Sequence, residues 1–327
     1  MTTSIEWTRN EDGTPGKAWN PLRGCSRASK GCQNCYAERV AHRFSGPGLP
    51  YEGLTRKTRA GRIQWTGEVR LVPEKLGEPL KWRKATRVFV NSMSDLFHES
   101  VPFEYVAAVF GVMAAAPRHT FLCLTKRPKR ALAFFEWLND DPEQSPESRC
   151  IMEANDRSVV AWDSHSDLPA WPLSNVWLGV SCEDQATADE RIPQLLQCPA
   201  AARWASLEPL LGPIDLRQDR QRLLGELGGA PGVDRATHAE LLNWVVCGAE
   251  SGPGARVFDI AWACSLRDQC AEAGTPFFLK QLGKRPVWSP GNPRGEQLSF
   301  RDPKGGEAGE WPEDLRVRQY PKEVHDA

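Results

Sequence analysis

Short apolar runs, rich in β-branched and aromatic residues, recur along this chain, and helix-like stretches follow several of them. The runs predict strands at residues 18–22, 87–91, 120–124, 176–180, 203–207, 243–247 and 276–279. They are nearly continuous in apolar character, which is typical of parallel strands buried on both faces. We therefore predict an α/β fold, a partial or closed (β/α) barrel of about six or seven parallel strands. A doubly wound sheet fits the same alternation.

Between the strands, helical patterns predict helices at residues 33–44, 102–116, 128–138, 184–196 and 260–273. Polar, turn-rich stretches near 139–172 and 213–240 are interpreted as surface insertions. We predict a barrel over residues 1–285, with a loop at 24–36 that carries cysteines, and a C-terminal extension over 286–327.

The 327 residues carry a formal net charge of −1. This balance gives no global electrostatic reason to bind nucleic acid or an anionic membrane, so any basic site must be local. No apolar run reaches the roughly 18 residues that span a bilayer, and the first residues lack the apolar core of a signal peptide. We predict a cytoplasmic protein without a membrane partner, whose cysteines stay reduced.

Polar residues follow most of the predicted strands. In (β/α) barrels the carboxyl ends of the strands form the active-site face, so these residues predict a polar mouth there. They are Ser92, Ser94, Asp95, Thr125, Lys126, Ser181, Glu183, Ser206, Glu208, Glu250, Ser251, Lys280 and Gln281.

Three cysteines stand apart from the other seven by their spacing. Cys25 is followed after six residues by Cys32, and Cys35 comes two residues later, in a loop with two glycines. Thiolates so spaced predict a metal site. In a zinc site, His42 or a distant cysteine would be the fourth ligand, yet two helical turns carry His42 about 10 Å from Cys35. An iron–sulfur cluster needs no fourth protein ligand if its open iron holds a substrate or cofactor.

The segments WNP, SKGCQNCYAE, NSMSD, LTKRP, LGVSCED, LEPLLGP, CGAESGPGARV and FFLKQLGK occur in that order between about residues 4 and 285. This series resembles an uncharacterised phage and prophage protein family with a three-cysteine motif. The cysteine loop after the first strand, with an aromatic residue after the last cysteine, also resembles the radical S-adenosylmethionine (SAM) enzymes, with the spore photoproduct lyase type as a relative. The usual first gap there is three residues, whereas here it is six.

The resemblance implies a [4Fe–4S] cluster on Cys25, Cys32 and Cys35, SAM bound at its open iron, and Tyr36 packed beside the cluster. It implies an enzyme that cleaves SAM reductively to a 5′-deoxyadenosyl radical. Expected SAM contacts are polar residues of the second strand for the methionine part and residues of later strands for the ribose. They are Ser92, Ser94 and Asp95, then Ser181, Glu183 and Glu208. An iron–sulfur protein that transfers electrons or senses redox state is the alternative, beside the zinc-binding structural protein.

The expected substrate is a nucleic acid or a nucleotide, although a peptide or a protein encoded by a neighbouring gene fits equally well. The expected electron donor is a flavodoxin or a ferredoxin. A basic rim for phosphates is predicted from Lys126, Arg127, Lys129, Arg130, Lys280, Lys284 and Arg285. Rings that would stack on a base are Trp19, Trp65, Trp82, Phe97 and Trp177.

Overall fold

A computed structural model describes residues 2–161, 167–217, 237–289 and 295–321. The strands within these ranges are β1 (Lys17–Trp19), β2 (Leu22–Arg23), β3 (Thr55–Lys57), β4 (Ile63–Trp65), β5 (Arg70–Leu71), β6 (Arg87–Val90), β7 (Thr120–Thr125), β8 (Val176–Ser181), β9 (Ala202–Leu207), β10 (Trp244–Gly248), β11 (Phe258–Asp259), β12 (Phe277–Gln281), β13 (Pro286–Trp288) and β14 (Glu296–Gln297). Seven of them form one parallel sheet in the order β1-β6-β7-β8-β9-β10-β12. Helices flank this sheet, so the predicted α/β fold with a partial (β/α) barrel is confirmed.

The helices in the same ranges are α1 (Tyr36–Arg43), α2 (Phe103–Ala114), α3 (Pro128–Asn139), α4 (Pro146–Asp156), α5 (Gln185–Gln197), α6 (His238–Leu241) and α7 (Ile260–Ala273). Local chemistry fixes several ends. Pro128 begins α3 at a position where a missing N–H costs nothing. The Asp259 side chain accepts a hydrogen bond from the Ala261 N–H at the start of α7, and Gly274, with φ of 70°, ends that helix.

The chain comprises two compact units. The first contains most of residues Met1–Gly179 and includes the cysteine loop, α1 and the small sheets β2–β5 and β3–β4. The second contains Val180–Gln197 and most of Arg203–Glu323. None of the ten cysteines is in a disulfide; six of the seven outside the loop are buried, and Cys264 is half-buried.

The first strand is shorter than predicted. Residues 18–22 were expected to form one strand, but β1 ends at Trp19 and β2 belongs to a separate two-stranded sheet. Pro21 lies between them and has no N–H to donate to a neighbouring strand. The cysteine loop therefore begins only a few residues beyond β1.

Two stretches for which no helix or strand was predicted contain secondary structure. The insertion at 139–172 includes α4, which packs on α2 so closely that a Cβ on Gly111 would collide with the carbonyl of Cys150. The predicted C-terminal extension over 286–327 includes β13 and β14, and further on it borders β12, where Leu279 N donates to Val317 O. Helix α4 was missed because polar residues dominate its segment. Most of the other predicted insertion, 213–240, lies outside the described residues.

Among the helices that the structure describes, none has both the length and the apolar composition that a membrane crossing requires.

Candidate functional site

The three cysteines lie on one loop of the first unit, between β2 and α1. Cys25 comes two residues after β2, Cys32 lies in the short 3-10 helix Lys30–Asn34, and Cys35 precedes the first turn of α1. All three thiols are half-buried and free. The local sequence thus brings three sulfurs to one connection beside β1, an edge strand of the parallel sheet.

Gly24 sets the path of this loop. Its φ is +89°, a conformation that suits glycine, and a Cβ at this position would collide with the carbonyl oxygen of Glu68. The backbone of the loop therefore passes directly against the segment that leads into β5.

Burial disfavours thiolates on this loop in the absence of a compensating cation. It raises the pKa of Cys25 to about 12, with the Asp95 carboxylate adding to the rise and the Arg127 guanidinium opposing it. Burial also raises the pKa of Cys35, and the backbone N–H groups at the start of α1 oppose this rise. Negative charge on Cys32 raises the pKa of Cys25 and of Cys35, so the three sulfurs lie within electrostatic reach of one another. A bound cation would relieve this repulsion.

Arg127, the residue before α3, anchors the Cys25 end of the loop. Its Nη2 donates to the backbone oxygen and to Oγ of Ser26, at 3.0 and 2.8 Å. Its Nη1 donates to Asp95 Oδ2 at 3.1 Å, and its Nε donates to both carboxylate oxygens of Glu99 at 3.0 Å. Because the guanidinium is buried and engaged in this way, the prediction that Arg127 belongs to an exposed phosphate-binding rim is wrong.

Asp95 ties the end of β6 to the end of β7. Its Oδ1 accepts from Phe97 N and Thr125 Oγ1, and its Oδ2 accepts from Lys126 N and Arg127 Nη1, all at 2.8–3.1 Å. A carboxylate has about four acceptor positions, so these donors fill them. The expected contact of Asp95 with the SAM amino group stays a prediction, and it requires the carboxylate to exchange one of these partners.

Ser26, beside Cys25, has a hydroxyl held by two donors. His98 Nδ1 accepts from the Ser100 N–H at 3.2 Å, so the neutral ring carries its proton on Nε2 and donates to Ser26 Oγ at 2.8 Å. Burial, and after it the Arg127 charge, lower the pKa of His98 and keep the ring neutral. Arg127 donates to the same oxygen, which leaves the Ser26 O–H free to donate. Nothing in the sequence indicates that Ser26 and His98 form this hydrogen bond.

A second ion pair fastens the other side of the loop. The buried Glu38 carboxylate, on α1, accepts from Arg27 Nε at 3.0 Å and from Arg27 Nη2 at 2.7 Å. The same carboxylate accepts from the Trp65 backbone N–H at 3.1 Å. One glutamate therefore joins the loop, the helix that follows it and strand β4.

The predicted SAM contacts of the first unit meet around the same loop. The Tyr36 hydroxyl donates to the backbone oxygen of Ser92 at 2.6 Å, and the ring is 48% exposed. Ser92 Oγ accepts from Asn20 Nδ2, and Ser94 Oγ donates to the carbonyl of Leu22. The segment after β6 is thus fastened to the segment after β1, where the cysteine loop begins.

Asn91, directly after β6, is a site residue that the sequence did not single out. It is 3% exposed, and neither its Nδ2 nor its Oδ1 has a hydrogen-bond partner. Its φ is 59°, which is uncommon for a residue other than glycine. A buried amide without a partner costs roughly 1–3 kcal/mol. Such a residue at a strand end is a candidate ligand-binding group.

The predicted ribose contacts lie together at strand ends of the second unit. Ser181 Oγ donates to the backbone oxygen of Glu208. The carboxylate of Glu208 is 14% exposed and pairs with Lys280 Nζ at 2.9 Å, whereas that of Glu183 is 1% exposed and pairs with Arg191. The contact of these residues with ribose stays a prediction. Glu208 is the better candidate of the two glutamates, because its carboxylate is partly exposed whereas that of Glu183 is buried.

Most of the aromatic residues predicted to stack on a base serve packing instead. Four of the five are buried, and the other, Trp82, is half-buried and stacks under the Lys17 ammonium. The buried ones are Trp19, Trp65, Phe97 and Trp177.

Within residues 2–161, 167–217, 237–289 and 295–321, no group of three or more His, Cys, Asp or Glu side chains is arranged to hold a metal ion. His42, the proposed zinc ligand, is kept apart from Cys35 because α1 runs unbroken between them, and its Nδ1 lies 3.0 Å from Thr55 Oγ1. The donor set itself, thiols alone on one glycine-bent loop, fits an iron–sulfur cluster, in which each cysteine binds a different iron.

A family model described as "Protein of unknown function (DUF5131)" matches residues 2–310. No curated protein and no solved structure matches the chain. The expectation of an uncharacterised family is thereby confirmed, whereas the phage origin and the likeness to radical SAM enzymes stay predictions.

Proposed function

The chain belongs to the family described as protein of unknown function (DUF5131), and we propose that it is an iron–sulfur enzyme of the radical SAM type. The observation that carries the proposal is the cysteine loop, with three free and half-buried thiols between β2 and α1. Three cysteines on one loop that follows the first strand of the parallel sheet would suit a cluster that serves catalysis.

Cys25, Cys32 and Cys35 would hold a [4Fe–4S] cluster whose remaining iron binds SAM. The reduced cluster would supply one electron, which cleaves SAM to methionine and a 5′-deoxyadenosyl radical that removes a hydrogen atom from the substrate. A flavodoxin or a ferredoxin would deliver the electron.

The residues around the loop would position the thiolates and limit water. Arg127 holds Ser26, and Glu38 holds Arg27, so each side of the loop is tied to the fold by a charged hydrogen bond of 2.8 Å or less. Arg127 also places a positive charge near Cys25, which opposes the rise in the pKa of that thiol. The two anchors would keep the sulfurs in place when the cluster changes its charge.

The amino and carboxylate groups of SAM would bind at the segment after β6. Asn91 has a side-chain amide with a free donor and a free acceptor. An amide of this kind can donate to a carboxylate and accept from an ammonium group. Ser92, Ser94 and Asp95 follow it in the chain and are the other candidates.

Anaerobic reconstitution with iron and sulfide tests the cluster. We expect about four irons per chain and a brown protein, and loss of both in Cys25→Ala, Cys32→Ala and Cys35→Ala. Cys150→Ala, which removes a buried thiol on α4, is the matched control and should keep its iron. One tightly held zinc in place of iron would overturn the proposal. Iron without SAM cleavage would favour the electron-transfer or redox-sensing alternative.

A further inference from the structure

Positive charge is concentrated on the part of the chain that carries the cysteines. Residues 23–70 contain ten Lys and Arg and three Asp and Glu, a net charge of +7 in a chain whose total is −1. Two of the three carboxylates are occupied, because Glu38 pairs with Arg27 and Glu68 pairs with Arg70. Most of the positive charge in this segment is therefore uncompensated locally.

The excess charge lies on the hairpin of β3 and β4 and on the end of α1. Between residues 53 and 67 the chain has four cations and no carboxylate. These four, together with Arg43 at the end of α1, are exposed and form no ion pair within the described ranges. We call them the basic hairpin surface, which consists of Arg43, Arg56, Lys57, Arg59 and Arg62.

The hairpin is fastened to the helix and to the cysteine loop. Thr55 Oγ1 lies 3.0 Å from His42 Nδ1, which joins the start of β3 to the end of α1. At the other end of the hairpin, the carbonyl of Ile63 accepts from Arg27 Nη2 at 3.5 Å. The turn that carries Arg59 and Arg62 therefore lies on the cysteine-loop side.

Two exposed aromatic side chains accompany these cations. Tyr36, the first residue of α1, is 48% exposed, and Phe44, just after its last residue, is 49% exposed. The backbone of Phe44 accepts a hydrogen bond from Tyr51 N, so the ring is attached to an ordered turn. Exposed rings beside a row of cations match the requirements of a single-stranded nucleic acid, whose unpaired bases stack on rings while its phosphates contact Lys and Arg.

We infer that the basic hairpin surface, with Tyr36 and Phe44, binds single-stranded nucleic acid. An anionic membrane surface would be attracted by the same charges, but the apolar face of α1 packs into the core through Ala37 and Ala41, so this helix has no apolar stripe left to insert into a lipid surface. The inference does not depend on the cluster, because binding through phosphates and stacked bases needs no redox chemistry.

Fluorescence anisotropy with a labelled oligothymidylate of twenty nucleotides tests this inference on the full-length, anaerobically reconstituted protein. The double variant Arg59→Glu/Arg62→Glu reverses two exposed charges at the turn. The matched control, Arg83→Glu/Lys84→Glu, makes the same net charge change at exposed residues that precede β6. We expect the hairpin variant to raise the Kd about tenfold or more, and the control to change it less than about twofold.

The salt dependence separates phosphate contacts from stacking. The slope of log Kd against log salt should fall by about 0.7 for each lost phosphate contact in the hairpin variant. Phe44→Ala should weaken binding about fivefold or more with an unchanged slope. Equal effects of the two charge variants would overturn the inference, as would no oligonucleotide binding, or stronger binding to phosphatidylserine-containing vesicles. Iron content and substrate-free cleavage of SAM should be unchanged in the hairpin variant, so failure here is distinguishable from failure of the proposed function.

Discussion

Arg127→Met removes the guanidinium that ties the cysteine loop to the ends of β6 and β7. The pair that it forms with Asp95 has both side chains 8% exposed, and breaking a buried pair costs about 3–5 kcal/mol because the remaining charge stays buried without a partner. Its second pair, with Glu99, adds only about 0–1 kcal/mol because Glu99 is 66% exposed. We expect the free energy of unfolding of the iron-free protein to fall by about 3–5 kcal/mol.

Urea unfolding of the iron-free protein measures this loss without any contribution from a cluster. Arg130→Met is the matched control, since Arg130 lies three residues further on, packs over the Phe103 ring at 3.8 Å and pairs with no carboxylate in the described chain. It should cost less than about 1 kcal/mol, because the loss of one cation–π contact and one hydrogen bond to a backbone carbonyl is partly offset by the removal of an Nε that is buried without a partner.

The double variant Asp95→Asn/Arg127→Met should be less destabilised than the sum of the two single variants, by about 1–3 kcal/mol. Equal losses in Arg127→Met and Arg130→Met would contradict this expectation, as would strict additivity in the double variant. Either result would mean that the Asp95–Arg127 pair does not anchor the loop.

Three further substitutions test the path of the cysteine loop, the role of the Asn91 amide and the packing of α4 on α2. Gly24→Ala should abolish iron binding, because at φ of +89° the added methyl group would collide with a backbone carbonyl. Gly13→Ala is the control, because its φ of +76° is similar but the space around it is open. It should lower the free energy of unfolding by about 1–2 kcal/mol and keep the iron. Asn91→Gly removes a buried amide that has no hydrogen-bond partner, so it should raise the free energy of unfolding by about 1 kcal/mol. The same substitution should weaken SAM binding in titration calorimetry. A destabilised variant with unchanged SAM affinity would contradict both expectations. Gly111→Ala should lower the melting temperature by several degrees, because α4 leaves no room for a methyl group, and an unchanged melting temperature would show that the helices separate easily.

The parallel sheet was predictable because its strands need apolar side chains on both faces. A run such as β6, in which every residue is buried, has that pattern in the sequence itself. Helix α4 was not predictable in the same way. Its residues are largely polar, and its burial depends on a single glycine of α2 that admits the backbone around Cys150.

The cysteine spacing indicated the loop, but it gave no sign of what holds the loop in place. Arg127 and Asp95 come from strand ends, and from sequence alone a buried arginine cannot be distinguished from an exposed one. The role of Asn91 depends on a positive φ and on the absence of a partner, both of which are properties of the folded backbone. The charge of the basic hairpin surface was visible in the sequence, but its position beside the cysteine loop depends on the pairing of β3 with β4.

Radical SAM activity is tested most directly by an assay for 5′-deoxyadenosine after dithionite is added to the anaerobically reconstituted protein with SAM. We predict that 5′-deoxyadenosine and methionine form, and that neither forms in Cys25→Ala, Cys32→Ala or Cys35→Ala. A fully loaded four-iron protein that binds SAM but yields no 5′-deoxyadenosine on reduction would contradict this prediction.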